Sequence, residues 1–351
     1  MGLPKILIEF KTLAQTLIQR SERGIVMLIL RDSQNTRESY TFTNESEVIK
    51  SHFSASSLAY LHLAFLGSPA KVMVERIPQE GNLDAVLDRL KIRRWNYLAM
   101  PEATAAETQE LSDFVIEQRD TYHKTFKFVG ANIGSNHEGV INFATDNIKA
   151  GTKTYSCSEF SVRIAGILAG MPLNRSATYY VLDDVDSIDE SATPDSDIDA
   201  GKLILINDGT KIKIGRGVNS LVSPPETKND DFNKIKIIEA IDLIRDDIRT
   251  TFENDFVGKV ENSYDNKVVF IAAINRYFSD LVSQGVLYDK YDNRAEIDID
   301  GNRDWLSEHK DISEWNEEQI KTANTGTNVF VKAYIQIQDA IEDLNFKVYM
   351  E

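Results

Sequence analysis

The chain has 351 residues, 42% of them hydrophobic and 27% charged, which excludes a wholly disordered protein and supplies apolar material for a sizeable core. Its length fits about two to three domains at the usual ~150 residues each. Fifty-five acidic residues against 39 basic ones give a net charge of −16, which argues against nucleic acid as the main partner, because phosphate binding needs a basic footprint.

A single cysteine, Cys157, allows no intrachain disulfide and no cysteine-based zinc site. The opening Met1-Gly2-Leu3-Pro4-Lys5 lacks the charged region and long apolar stretch of a signal peptide, and Ile6 stands where a myristoylated terminus carries Ser or Thr. The longest apolar run, Leu58 to Leu66, is too short to span a bilayer and is interrupted by His62. Synthesis and folding in a cytoplasm, without membrane insertion, are expected.

Ile6, Ile8 and Phe10 alternate with Lys5, Glu9 and Lys11, the period of a strand with one buried face. Gly24 to Leu30 is almost entirely apolar and predicts a strand buried on both faces. Helices then alternate with strands: helix 57–66 and strand 71–77, helix 83–91 and strand 95–100, helix 105–122 and strand 125–130, helix 158–169 and strand 177–182. That alternation predicts an α/β layer with a mainly parallel sheet. Asp183 to Asp199 holds eight acidic residues, no basic one and Pro194, and reads as an exposed linker or loop.

The remaining 150 residues have a different pattern. Strands at 203–206 and 211–214 flank Asn207-Asp208-Gly209, a hairpin turn in which both central residues are expected at positive φ. A helix over 233–252 shows an apolar stripe of Ile237, Ile241, Ile244, Ile248 and Phe252, with Asp242, Arg245, Asp246 and Arg249 on its expected wet face. A second helix, 266–283, ends at Gly285 as a C-cap. Strands are predicted at 295–299, over the long alternation from Val329 to Ile337, and at Phe346, Val348 and Met350.

Catalytic and cofactor motifs are sparse. The turns after the parallel strands, including Gly130-Ala131-Asn132-Ile133-Gly134-Ser135-Asn136, match no Walker or dinucleotide fingerprint. Ser135 sits in no nucleophile elbow, Cys157 and His137 would pair only through the fold, and His62 reads as a satisfied core or interface residue. Glu296-Ile297-Asp298-Ile299-Asp300-Gly301-Asn302 has the early spacing of a calcium loop, but Ser307 occupies the decisive twelfth position; a strand ending in a turn explains it more simply. Gly215 to Ser220 reads as a bent strand end rather than an anion nest. No catalytic, cofactor or metal residues are assigned.

Both chain ends are strand-like, and a terminal strand must pair with its own domain or with a neighbour. A six-residue strand adds about 5 hydrogen bonds at about 1 kcal/mol net each. Repeated without closure, such contacts build helical arrays.

Five blocks then carry a resemblance: Arg163-Ile-Ala-Gly-Ile-Leu-Ala-Gly-Met-Pro-Leu-Asn-Arg-Ser-Ala-Thr-Tyr; Asn207-Asp-Gly followed by Ile214-Gly-Arg-Gly-Val-Asn-Ser-Leu; Lys234-Ile-Lys-Ile-Ile-Glu-Ala-Ile-Asp-Leu-Ile-Arg-Asp-Asp-Ile-Arg; Val257-Gly-Lys-Val-Glu-Asn-Ser-Tyr-Asp-Asn-Lys; and Asp339-Ala-Ile-Glu-Asp-Leu-Asn-Phe. In this order they resemble the contractile tail sheath proteins of phages, especially the short sheath of defective prophages and phage-tail-like bacteriocins.

The resemblance implies a mixed α+β sheath domain built from both chain ends, with an α/β outer domain inserted between them. The corresponding division is an N-terminal arm at 1–22, an outer domain at 23–200 and a C-terminal sheath domain at 201–351, whose arm spans 326–351. It implies a subunit that polymerises helically around an inner tail tube and contracts to drive the tube through a cell envelope, without enzymatic activity or cofactor. Ile6, Ile8 and Phe10 would lie in one intersubunit strand arm, and Phe346, Val348 and Met350 in the other. Implied partners are further copies of the chain, the tube protein, and baseplate and tail terminator proteins, with no direct nucleic acid contact. Assembly would occur in the host bacterial cytoplasm, and the mature location would be the virion or tail-like particle. The polar helix near 316–324 is a candidate for tube attachment. The competing reading is an α/β ligand-binding or hydrolytic module with an appended β-rich oligomerisation domain.

Overall fold

A computed structural model describes residues 17–350. By internal contacts these form two units, one comprising 22–243 and 339–350, the other 17–21 and 244–338. The expected arm residues Ile6, Ile8 and Phe10 lie outside the described residues.

The α/β unit opens with β1 (Ile25–Arg31) and β2 (Ser39–Phe42), followed by α1 (Ala55–Phe65), β3 (Lys71–Ile77), α2 (Asp84–Lys91) and β4 (Tyr97–Ala99). Next come α3 (Ala105–Asp120), β5 (Lys127–Ala131), β6 (Val140–Phe143), the hairpin β7 (Ile148–Ala150) and β8 (Lys153–Tyr155), and α4 (Cys157–Gly170). After α5 (Pro194–Asp199) follow β9 (Lys202–Leu203), β10 (Leu205–Asn207), β11 (Ile212–Ile214) and α6 (Ile235–Thr251). The division between the units falls within α6, after Leu243.

Seven strands form one sheet in the order β2-β3-β1-β4-β5-β6-β9, all parallel except β2. β1 shows why its sequence is an unbroken apolar run. Val26, Leu28 and Leu30 join a core with α1 and α4, while Ile25, Met27 and Ile29 face the opposite core with α2 and α3. Each such side chain, fully withdrawn from water, contributes about 1.5–3 kcal/mol. The acidic segment 183–199, a loop that ends in α5, lies inside this unit, because β9 continues the same sheet on β6. The contacts therefore divide the chain at 243 and 338 rather than at the expected 200.

Several local expectations change. Residues 177–182 form a turn with a single bridge, Val181 to Lys213, in place of the expected strand, and Tyr179, Tyr180 and Leu182 bond to Ile214 and Ile212 along the outer edge of β11. In that hairpin Gly209 has φ 91°, whereas Asp208 is absent from the positive-φ residues. Asp208 instead closes a longer turn by accepting the amides of Thr210 and Lys211 at 3.0 and 2.8 Å. Asp242, expected on a wet face, is buried.

The second unit contains the end of α6, a π-helical turn (Phe252–Phe256), α7 (Tyr264–Ser283), β12 (Arg294–Ile297), α8 (Ile299–Ser307), α9 (Glu317–Thr322) and β13 (Val331–Tyr334). α7 ends in a Schellman motif. Gly285, φ 69°, donates to the Val282 carbonyl at 3.0 Å, and Val286 donates to Leu281 at 2.9 Å. Asn275 on α7 holds β12 by both accepting the Ala295 amide (2.6 Å) and donating to its carbonyl (3.1 Å). β12 pairs antiparallel with β13. Ile299, expected to end a strand, begins α8. The long alternation from Val329 yields only β13 and a bridge at Ile337.

Candidate assembly surface and arm anchors

The parallel strands run β3-β1-β4-β5-β6, so their order switches beside β1, and ligands in such folds bind beyond the strand ends at that point. Here the polar side chains at the strand ends bond to one another and to the chain's own backbone. Arg31 donates to the carbonyls of Pro78, Gln79 and Gly81 at 3.2, 2.5 and 3.1 Å and pairs with Glu107. Asp32 is buried against Arg76 at 3.1 Å. Tyr60 bridges Glu102 and Glu159 at 2.7 and 2.8 Å.

The other chemical candidates are internally satisfied. Ser135 pairs with Ser112 at 2.6 Å. His137 contacts Asp120 through Nε2 at 3.2 Å and accepts the Gly139 amide on Nδ1 at 3.0 Å. His62 lies at the surface and contacts Glu45 at 2.9 Å, so of the core-or-interface reading the core position does not hold. The amides of Gly215, Gly217, Asn219 and Ser220 donate to Ile204, Thr178, Asn233 and Val140, so the segment folds onto its own unit. Near Glu296, Asp298 and Asp300, Lys332 sits 3.7–3.9 Å from the carboxylates. Among the described residues, no group of three or more His, Cys, Asp or Glu side chains is arranged to hold a metal ion.

The Cys157 thiol donates to the Phe143 carbonyl at 2.9 Å, and burial pushes its pKa up to about 12. The nucleophile is the thiolate, so at pH 8 only ~1 in 10⁴ molecules would carry it. Cys157 in the native protein is expected to resist a thiol reagent for hours. It should react within minutes in denaturant, as read by thiol titration.

The chain ends are differently organised. Just inside the first described residues, the Ser21 amide donates to Asp247 Oδ1 at 2.5 Å. Tyr277 donates to Asp247 Oδ2 at 2.7 Å, and Arg20 approaches the same oxygen at 3.4 Å while lying over the Tyr277 ring. The Gln19 amide donates to Thr251 Oγ1 at 2.8 Å. Buried Asp247 is thus the root of the N-terminal segment within its unit.

The C-terminal segment is rooted in the α/β unit by polar contacts. Lys234 pairs with Asp339 at 2.5 Å. Ser176 and Thr178 donate to Glu342 at 2.7 and 2.8 Å, and Arg216 donates to both Asp343 oxygens at 2.7 and 2.8 Å. Between these polar anchors Ile341 is 98% exposed. Beyond them Phe346, Val348 and Met350 are 78%, 65% and 93% exposed, and residues 339–350 carry no strand in the single chain. The alternation is present without a ladder partner.

A family model described as the phage tail sheath C-terminal domain matches residues 227–351. The tail sheath protein of Clostridium phage phiCD119 is 35% identical over 360 residues, covering 99% of this chain and 99% of that protein. The chain belongs to the phage tail sheath protein family. Two solved structures share its fold. The sheath tail protein of Desulfitobacterium hafniense has a TM-score of 0.75 at 16% identity, covering 96% of this chain and 98% of that one. The contracted helical sheath of the anti-feeding prophage has a TM-score of 0.74 at 12% identity and covers 100% of both chains.

As a tail sheath protein the chain is a structural sheath subunit, and its location is a phage tail or tail-like particle. No helix among the described residues is long and apolar enough to cross a membrane. The sequence reading missed Asp247, Glu342 and Arg216 as anchors, since exposed-looking acids and arginines give no positional signal.

Proposed function

We propose that this sheath subunit polymerises helically around an inner tail tube and contracts to drive the tube through a cell envelope. The observation that carries the proposal is the full-length similarity to a tail sheath protein. The arms at 1–22 and 326–351 are read as links between neighbours, with Ile6, Ile8, Phe10, Phe346, Val348 and Met350 in shared strands. The β13 edge of the β12–β13 pair can accept such a strand, since an unpaired edge is a template for addition, whereas Asn275 already occupies the Ala295 amide and carbonyl on the β12 edge. The full-length similarity to a tail sheath protein disfavours the enzyme alternative. Contraction on this reading consumes no nucleotide; the energy resides in the array.

Further partners on the same reading are the tube, baseplate and tail terminator proteins, with assembly in the host cytoplasm. α9 is the candidate tube contact. Asn316 caps it through a reciprocal bond with Gln319, and its buried Ile320 fixes it while Glu317, Glu318 and Gln319 face solvent.

Deleting residues 1–12 is expected to leave a folded monomer that forms no tubes by electron microscopy. A wild-type chain that remains monomeric at high concentration would sink the proposal, and saturable nucleotide binding by calorimetry would favour an enzyme. Phe346→Asp should weaken assembly while changing subunit stability by less than about 0.5 kcal/mol, as expected for an exposed site. A large fall in melting temperature would instead put Phe346 in its own subunit's core.

A further inference from the structure

The second unit contains a cavity of about 430 Å³ between the π-helical turn, the start of α7 and the approach to β13. Phe252, Phe256, Phe270 and Val329 line it, and Val257 and Val260, both exposed, lie at its mouth. The rings are fixed against one another, with Phe270 5.2 Å from Phe252 and 4.8 Å from Phe256. Glu261, Asn262, Ser263, Asn266, Lys267 and Thr327 also border it, yet the aromatic and valine side chains make a rigid concavity that suits an apolar side chain.

We propose that this cavity receives the tail 344–350 of a second copy of the chain, with Phe346 as its anchor. The inference rests on the sheath reading and names a receiving surface for one of its arms. The exposed apolar side chains single out this pair. Among the described residues, six of the eighteen large exposed hydrophobics lie within 341–350, and two more are Val257 and Val260. The tail is tethered through Asp339, Glu342 and Asp343, whose polar contacts leave its apolar groups free for another surface. Charge is also complementary. Lys347 follows Phe346, and exposed Glu261 lies at the cavity lining.

The test uses the full-length chain with Cys157→Ser, Lys347→Cys and Glu261→Cys, which keeps Phe346 and the cavity walls. After assembly and mild oxidation, a non-reducing denaturing gel should show a ladder of linked copies, absent from each single-cysteine control. Wild-type tubes together with no crosslink, or only an intrachain one, would overturn the inference and leave the sheath reading standing. Failure of the wild-type chain to form tubes would overturn both. Independently, Val260→Trp should fill the mouth and lower tube yield at least tenfold without lowering the melting temperature. Tubes at wild-type yield from that variant would also overturn the inference.

Discussion

Asp242→Ala is expected to destabilise the α/β unit by about 3–5 kcal/mol, because it leaves two buried cations without their shared partner. Arg119 donates to both Asp242 oxygens at 3.0 Å, and Lys127 donates to one of them at 2.8 Å. Lys127 also pairs with Glu239 at 2.8 Å, and Glu239 accepts from the Tyr97 hydroxyl at 2.7 Å. This cluster seats the first part of α6 on the α/β unit. A loss of that size should lower the melting temperature by about 10 °C or more, measurable by circular dichroism. Replacing Arg119, Lys127 and Asp242 together by Leu, Met and Leu should recover much of the loss, since it removes the charges along with the pairing. If the single variant melts within a degree or two of wild type, the cluster is not what holds α6.

The same carboxylate fixes a pH dependence. Burial alone would raise the Asp242 pKa, but Arg119 and Lys127 overcome it and hold the group below its ordinary value of 3.8. A depressed folded-state pKa means that the stabilisation is fully present above 3.8 and is lost as pH falls below it. The stability difference between wild type and Asp242→Ala should therefore be constant near neutrality and shrink below about pH 4.

Asp242 also shows where the sequence stopped being legible. With Arg245, Asp246 and Arg249 it has the spacing of a solvated helix face, and periodicity cannot tell a wet acid from one paired with buried Arg119 and Lys127. By contrast, β1 and β3 were readable because both faces or nearly both are apolar, and α3 because Thr104 and Glu107 form a reciprocal cap at its start. The short β2, β6, β7 and β8 were missed, since three or four residues give too little period to detect. At the C-terminus the alternation of Phe346, Val348 and Met350 is legible, yet its partner is not written in one chain. On the proposed reading that strand pairs on assembly, and the single subunit accordingly carries no ladder over 339–350.

Gly166→Val is expected to destabilise the α/β unit by about 3 kcal/mol, and Gly166→Ala by about 1–3 kcal/mol, although either residue would be a better helix former than glycine. A Cβ at 166 would lie 2.2 Å from the Ala64 carbonyl oxygen of α1. The contact is reciprocal along the seam. A Cβ at Gly67 would lie 2.0 Å from the Gly166 carbonyl carbon, and one at Gly170 would lie 1.9 Å from the Gly67 oxygen. These obstacles are backbone atoms, so no side chain can swing aside, and α1 and α4 would have to separate. Separation would open the core that Val26, Leu28 and Leu30 share with Ile164 and Leu168. Gly134→Ala is the control, because a Cβ there meets nothing within 4 Å; it should be neutral. Should Gly166→Val melt like Gly134→Ala, the close approach of α1 and α4 would be wrong. Within the block 163–179, Gly166 and Gly170 set a helix spacing, while Arg163 ties α4 to Asp184 at 2.9–3.0 Å and Ser176 and Thr178 hold the C-terminal segment through Glu342. That block therefore joins packing of the α/β core to anchoring of the C-terminal segment, and a substitution at Gly166 should damage subunit stability before it touches assembly.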